Sequence, residues 1–228
     1  MGKTITVAID GPAGAGKSTL ARRLAERLGF LYIDTGAMYR AIALSARRLG
    51  IGWDDAPRLE KLAREARIEL PGAGRVLLDG EDISQDIRDP EISEGASRVS
   101  AIPGVRRALV EKQQQIGREA SVVMEGRDIG TVVFPDAEVK IYLDATPEER
   151  TRRRLKDLAA RGVQADFAQV LSEIQRRDER DSTRADSPLR QAPDAIYVDS
   201  TSMNEDEVEE ALLKIVRDRT SNGKEVTS

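Results

Sequence analysis

The chain has 228 residues, no cysteine and no histidine, and a formal net charge of −4 with 33% charged residues. This composition excludes disulfide scaffolds, thiol nucleophiles, thiolate or imidazole metal sites and a histidine general base. The acidic average argues against a surface devoted to nucleic acid or membrane, and no apolar run is as long as a membrane span. We therefore expect a soluble cytoplasmic protein without nucleic-acid or membrane partners.

The first 50 residues alternate between strand and helix patterns. The β-branched run TITVAID (4–10) predicts a buried strand that ends in a glycine-rich turn. Leucines spaced four residues apart predict a helix from Lys17 to Leu28, with Gly29 as its stop. A second strand at 30–34 and a helix at 37–49 follow.

The same alternation returns in the second half of the chain. Strands are predicted at 121–125, 139–145 and 195–200, and helices at 147–160, 166–179 and 205–219. Strands that alternate with helices predict a parallel sheet covered on both faces. The expected fold class is therefore α/β, with three layers and a five-stranded parallel sheet.

The stretch between residues 50 and 103 interrupts this pattern. A helix near 57–66 precedes short apolar runs separated by Pro-Gly and Asp-Gly, which are hairpin signals. We predict a small antiparallel insertion at 51–103, on a core made of residues 1–50 and 104–220. A helical lid is expected at about 147–166, and a flexible tail at 221–228.

The clearest motif is GPAGAGKS at residues 11–18, which lies between the first strand and the first helix. Glycines in such a loop let backbone N–H groups surround phosphates, and the helix N-terminus adds partial positive charge. Lys17 would reach the outer phosphates and Ser18 would offer its hydroxyl to Mg²⁺. A dinucleotide fingerprint would need glycine where Thr19 stands, so the loop predicts ATP or GTP binding.

A nucleotide-dependent switch is the alternative of a different class. Such a GTPase would carry Asn-Lys-x-Asp and Asp-x-x-Gly, and neither string occurs in the chain. An enzyme that transfers a phosphoryl group is therefore the preferred interpretation.

Arginines near predicted strand ends indicate where the acceptor binds. In DTGAMYR, Thr35 is expected as the N-cap of the next helix, with Tyr39 and Arg40 one turn further on. In EGRDIG, Arg127 and Asp128 follow another strand. Arginine binds phosphate oxygens in a bidentate manner and aspartate accepts from a base or sugar, so these residues suit a nucleotide. Three more candidates share one helix face: Arg177, Asp181 and Arg184.

Together, the strings IDGPAGAGKST, DTGAMYRA, GRDIGTVVFPDA, KIYLDA and RRDERDSTR resemble those of bacterial cytidylate kinases over nearly the whole chain. The resemblance implies transfer of the ATP γ-phosphoryl group to CMP or dCMP, with Mg²⁺, by a monomer in pyrimidine nucleotide metabolism. Spacing alone leaves UMP, AMP or shikimate open as acceptors. The family resemblance also implies an enlarged nucleotide-binding insertion and a closing lid.

The resemblance assigns roles to individual residues. Lys17, Arg127, Arg153 and Arg154 are expected to be catalytic. ATP is expected to contact Gly11, Pro12, Ala13, Gly14, Ala15, Gly16, Lys17, Ser18, Thr19, Arg150, Arg153 and Arg154. Acceptor contacts are expected from Thr35, Tyr39, Arg40, Ser97, Arg106, Arg127, Asp128, Arg177, Asp181 and Arg184. Among these, Arg40, Arg127 and Arg177 would bind phosphate, Ser97, Arg106, Asp128 and Arg184 the cytosine, and Asp181 with Arg177 the sugar.

Overall fold

The computed structural model describes residues 4–72 and 74–221. Its strands are β1 (Thr6–Asp10), β2 (Leu31–Asp34), β3 (Ile68–Gly72), β4 (Arg75–Leu78), β5 (Glu81–Asp82), β6 (Val122–Gly126), β7 (Val139–Asp144) and β8 (Ile196–Asp199). Its helices are α1 (Lys17–Leu28), α2 (Thr35–Arg48), α3 (Ala56–Glu65), α4 (Pro90–Val99), α5 (Pro103–Glu119), α6 (Pro147–Ala159), α7 (Phe167–Thr183) and α8 (Glu205–Ser221).

The central sheet has the five parallel strands that were predicted, and their order is β2-β6-β1-β7-β8. The two central strands β1 and β6 are buried along their whole length. Their register pairs Asp10 with Gly126, and Asp34 of β2 pairs with Glu125. The carboxyl ends of these three strands therefore meet at one edge, where an open α/β sheet binds its ligands.

Helices cover both faces of this sheet. On one face α1 and α8 pack on β1, β7 and β8, through a core that includes Leu24, Ile141 and Leu212. On the other face Met124 and Ile33 pack against the turn that follows β6. The predicted bounds of α1 are confirmed, because Gly29 ends the helix in the left-handed conformation that glycine adopts easily.

The insertion contains the predicted antiparallel hairpins as a three-stranded sheet, β3-β4-β5. The sequence analysis missed α4 and α5, which carry apolar residues at helical spacing, such as Val105, Ala108 and Leu109. These helices share a large core with α2 and α3. The insertion therefore packs on the same helix that begins at the carboxyl end of β2.

Helices α6 and α7 pack against each other around a small separate cluster, made of Leu155, Leu158, Val170 and Ile174. Helix α8 includes Ser221, the first residue of the predicted tail, and the other residues of that prediction, 222–228, lie outside the described part of the chain. No helix in the described residues is both long enough and apolar enough to cross a membrane.

Candidate active site

The glycine-rich loop runs between β1 and α1, as the motif predicts. A Cβ on Gly11 would lie 2.0 Å from the carbonyl oxygen of Leu143, so only glycine lets the loop approach β7 this closely. Lys17 is the first residue of α1 and is 5% exposed, and its Nζ donates to the carbonyl oxygen of Pro12 at 2.6 Å. Burial, together with the charges of Arg127 and Arg177, lowers the pKa of Lys17.

Two side chains, one from α6 and one from α7, hold the backbone of Ala13 in this loop. Arg150 of α6 donates to the carbonyl oxygen of Ala13 at 3.0 Å, and Asp178 of α7 accepts from its N–H at 3.3 Å. Arg150 also bonds Asp178, which closes the triangle. The guanidinium of Arg150 is thus engaged by the loop backbone, whereas the sequence analysis assigned it to ATP.

The other two arginines of α6 that were predicted to contact ATP differ from each other. Arg153 donates to the carbonyl oxygens of Ala15 at 3.3 Å and Ser200 at 2.7 Å, so it links the loop to the end of β8. Arg154 is half-buried, and the described part of the chain supplies it with neither a hydrogen bond nor an ion pair. Burial and the nearby charges of Arg161 and Arg40 lower the pKa of Arg154. Of the three α6 arginines that were predicted to contact ATP, Arg154 is therefore the one whose guanidinium is available to bind an anion.

Four predicted arginines from four separate segments lie close enough to repel one another. Burial and the charges of Arg127, Arg40 and Arg154 lower the pKa of Arg177 to about 10. The Nε of Arg177 and Nη1 of Arg40 are buried without hydrogen-bond partners. Arg127 donates from Nε to Asp181 at 2.9 Å. Arg40 also lies 3.7 Å from Asp34, and Arg127 and Arg177 share Asp181, so the cations outnumber the nearby anions and indicate a site for a negatively charged ligand.

A second polar cluster lies beside the first. Arg106 of α5 forms a buried ion pair with Asp128, and Nη2 of Arg184 lies 3.8 Å from the other oxygen of Asp128. The guanidinium of Arg106 also lies 5.7 Å from the ring centroid of Tyr39. Nε of Arg106 and Nη2 of Arg184 are buried with no hydrogen-bond partner. These free donors can bind a polar ligand.

Two predicted details of these segments need correction. The N-cap of α2 is Asp34, which accepts from the N–H of Ala37, so Thr35 is the first helical residue. The Thr35 hydroxyl donates to the carbonyl oxygen of Glu125 at 2.7 Å. Arg184 follows the end of α7 and enters the site from outside the helix, so the predicted single helix face is wrong for it.

Ser97 of α4 is buried, and its hydroxyl accepts from Arg180 of α7 at 2.8 Å. Arg180 also donates to Glu94 at 2.9 Å. The sequence analysis did not single out Arg180, although it lies one residue before Asp181. Only the packing of α4 against α7 distinguishes it from the other arginines of this charged run.

Oxygen donors that could hold a divalent cation lie where β2 and β6 end. Ser18, Tyr32 and Asp34 line a cavity of about 160 Å³. Tyr32 donates to Glu125 at 2.7 Å, and the Ser18 hydroxyl also bonds Glu125. Burial and the charge of Asp34 raise the pKa of Glu125. One hydroxyl and two carboxylates suit Mg²⁺, which keeps several waters and takes few protein ligands.

Comparison with known proteins agrees with this geometry. The family model for cytidylate kinase matches residues 7–218. A cytidylate kinase from Solibacter usitatus is 60% identical, over 98% of this chain and 97% of its own. One from Syntrophotalea carbinolica is 50% identical, over 96% of this chain and 94% of its own. A gluconokinase from Sinorhizobium meliloti, 14% identical with a TM-score of 0.50 over 98% of both chains, shares the fold alone. The chain therefore belongs to the cytidylate kinase family.

Proposed function

We propose that the protein transfers the γ-phosphoryl group of ATP to CMP or dCMP, giving ADP and the corresponding diphosphate. One observation carries this proposal beyond family membership. The cluster of Arg40, Arg127, Arg154 and Arg177 holds buried nitrogen atoms that no described residue satisfies. The cluster has too little compensating negative charge, and a nucleotide phosphate would supply it.

The acceptor phosphate needs no general base. A phosphate monoester has a second pKa near 6, so at neutral pH it already carries the nucleophilic oxygen in ionised form. The absence of histidine from the chain is therefore no obstacle. The work left to the protein is to align the two phosphates and to neutralise the charge that develops between them.

The cationic residues divide between the two sides of this reaction. Lys17 and the loop backbone would bind the donor phosphates, and Arg40, Arg127 and Arg177 the acceptor phosphate. Arg154 is free to bind the group in transfer, and an arginine in that position is worth about 10³–10⁵ in rate in other phosphoryl-transfer enzymes. Arg150 and Arg153 would act indirectly, since they hold the loop backbone.

The second polar cluster would read the base. Arg106, Asp128 and Arg184 offer free donors and a carboxylate acceptor within one buried pocket. This combination suits the mixed donor and acceptor edge of cytosine. Ser97 would border the base, and Asp181 with Arg177 would bind the sugar hydroxyls.

Mg²⁺ fits the oxygen donors at the ends of β2 and β6. Ser18 would hold it, with Asp34 and Glu125 orienting its waters. When bound, the ion neutralises phosphate charge.

We also infer a division of labour among segments. Residues 1–50 and 104–220 would form the catalytic core, and residues 51–103 the nucleotide-binding insertion. The lid, at about 147–166, would close over ATP, an inference supported by its small separate hydrophobic cluster. The family resemblance supports a cytoplasmic monomer in pyrimidine nucleotide metabolism.

A coupled assay of ADP release tests the acceptor. The purified protein receives ATP and Mg²⁺ with CMP, dCMP, UMP, AMP, GMP or shikimate in separate reactions. Fast turnover with CMP and dCMP alone is expected. Turnover with a different acceptor would overturn the assignment of Ser97, Arg106, Asp128 and Arg184, while ATP binding without any transfer would favour a nucleotide switch.

A further inference from the structure

Asp10 joins the phosphate loop to the loop that carries Arg127 and Asp128. It is the last residue of β1, directly before the phosphate loop, and is only 5% exposed. Its Oδ1 accepts from the N–H of Ile129 at 2.8 Å, and its Oδ2 from the N–H of Gly130 at 2.7 Å. One carboxylate thus uses both oxygens on two consecutive peptide groups, about 120 residues away in the chain.

The position of these two peptide groups gives the contact its importance. They begin a five-residue π-helical turn, Ile129–Val133, and directly follow Asp128. The turn's own hydrogen bonds start later, with Val132 and Val133 donating to the carbonyl oxygen of Asp128. The first two N–H groups therefore rely on Asp10, since a buried backbone donor without an acceptor is costly. Turns of this kind are frequent at functional sites.

The packing around the turn leaves little room for another arrangement. A Cβ on Gly130 would lie 3.1 Å from Cδ of Lys140 and 3.4 Å from Oδ2 of Asp10. The peptide backbone thus rests directly against the carboxylate and the neighbouring strand. Any displacement of Asp10 would be passed to Asp128 and, one residue further, to Arg127.

The charge of Asp10 is expensive for the folded protein. Burial raises the pKa of Asp10 to about 6, and Asp128 adds to this effect, although the two N–H groups and Lys17 act against it. Stability alone would favour an uncharged side chain at this position. A buried charged group that accepts two hydrogen bonds and is kept in spite of its desolvation cost is typical of functional sites.

We propose that Asp10 is a positioning residue, which holds the Arg127–Asp128 loop in register with the phosphate loop so that the acceptor faces the donor phosphate. It acts through the two backbone N–H groups and touches neither substrate. The proposal rests on the proposed function for its kinetic consequence, whereas the link between Asp10 and the turn is independent of it.

The kinetic test compares Asp10→Asn with wild type and with Asp79→Asn. Asp79 is an exposed aspartate in the insertion that also accepts from a backbone N–H, that of Arg67 at 2.9 Å, so the control makes the same chemical change. Asparagine offers one acceptor oxygen and presents an amide N–H₂ to the second peptide N–H. We expect kcat/KM for CMP to fall about 100-fold, because misplacement by an ångström can cost that much.

The pattern of constants separates positioning from a merely structural role. KM for ATP should stay within about threefold of wild type, because the phosphate loop keeps its own contacts, and the control should keep both constants. Circular dichroism and ATP binding would establish that the variant is folded. The proposal would be overturned if KM for ATP rose as much as KM for CMP. It would also be overturned if kcat/KM for CMP and KM for ATP both stayed within about threefold of wild type.

A second measurement uses the wild-type protein and no substrate, so it remains decisive if the variant fails to fold or CMP is not the acceptor. The amide signals of Ile129 and Gly130 are followed by nuclear magnetic resonance from pH 5 to pH 8. Both should shift together with a midpoint of about 6, the pKa of Asp10. Amide signals that stay constant while the signal of the Asp10 carboxyl carbon titrates would show that the carboxylate does not control the turn.

Discussion

Replacing Lys17 by methionine should separate activity from stability. The Nζ is buried near Arg127 and Arg177, which disfavour its charge. Replacing a buried ion pair by apolar groups of similar volume can be stabilising by about 1–4 kcal/mol, and we expect a gain in this range from removing the Lys17 charge. Loss of the hydrogen bond to Pro12 costs about 1 kcal/mol. The ligand-free variant should therefore be between about 0 and 3 kcal/mol more stable, which raises its melting temperature by at most about 10 °C.

Turnover should change in the opposite direction. Removing one charged donor from a phosphate or oxyanion site costs about 10²–10³ in kcat, and we expect at least this loss. Urea unfolding without nucleotide and ADP release with saturating ATP and CMP measure the two quantities. Lys61→Met, an exposed lysine on α3 with only a 3.9 Å contact to Glu65, should change neither. Near-normal turnover of folded Lys17→Met would refute the role of the loop, and strong destabilisation would refute the electrostatic argument.

Three further predictions concern the carboxylates of Asp128, Asp178 and Asp10. Asp128→Ala should raise KM for CMP at least tenfold more than KM for ATP and cost about 3–5 kcal/mol of stability, because it leaves Arg106 buried without its partner; equal effects on both substrates would contradict the assignment. Asp178→Asn should raise KM for ATP about fivefold through the weakened bond to Ala13, with KM for CMP as the internal control. Asp10 has a pKa of about 6 when folded, against 3.8 otherwise, so its contribution to stability is lost as pH rises from about 4 to about 6, by about 3 kcal/mol. Urea unfolding of wild type and Asp10→Asn across this range should show that difference, and parallel curves would exclude it.

Much of the architecture could be predicted because its signals are local. Leucines four residues apart and a glycine stop specify α1 with little help from the rest of the chain. Strand and helix alternation predicts the parallel sheet for a similar reason, since crossovers between parallel strands follow simple rules. Of the two missed helices, α4 lies in a segment whose hairpin signals dominated the interpretation, and α5 lies between that segment and the strand predicted at 121–125.

The site could be predicted only where a sequence motif specifies both a residue and the group that it binds. The loop motif identifies Lys17 and Ser18, because the chemistry of phosphate binding needs those residue types at that spacing. It says nothing of Arg150, which the fold directs to the loop backbone, or of Arg180, which the fold directs to Ser97. In an arginine-rich helix every guanidinium looks alike until a partner helix packs against it.

The sequence by itself therefore determined the family, the phosphate loop, the alternation of strands and helices around the parallel sheet, and the residue types available for chemistry. Tertiary structure alone decided which arginines remain without partners, why the pKa of Arg177 is lowered, and that Asp10 bonds the turn after β6. The physical reason is distance along the chain. Local patterns follow from neighbouring residues, whereas desolvation and charge repulsion depend on groups that only folding brings within a few ångströms of each other.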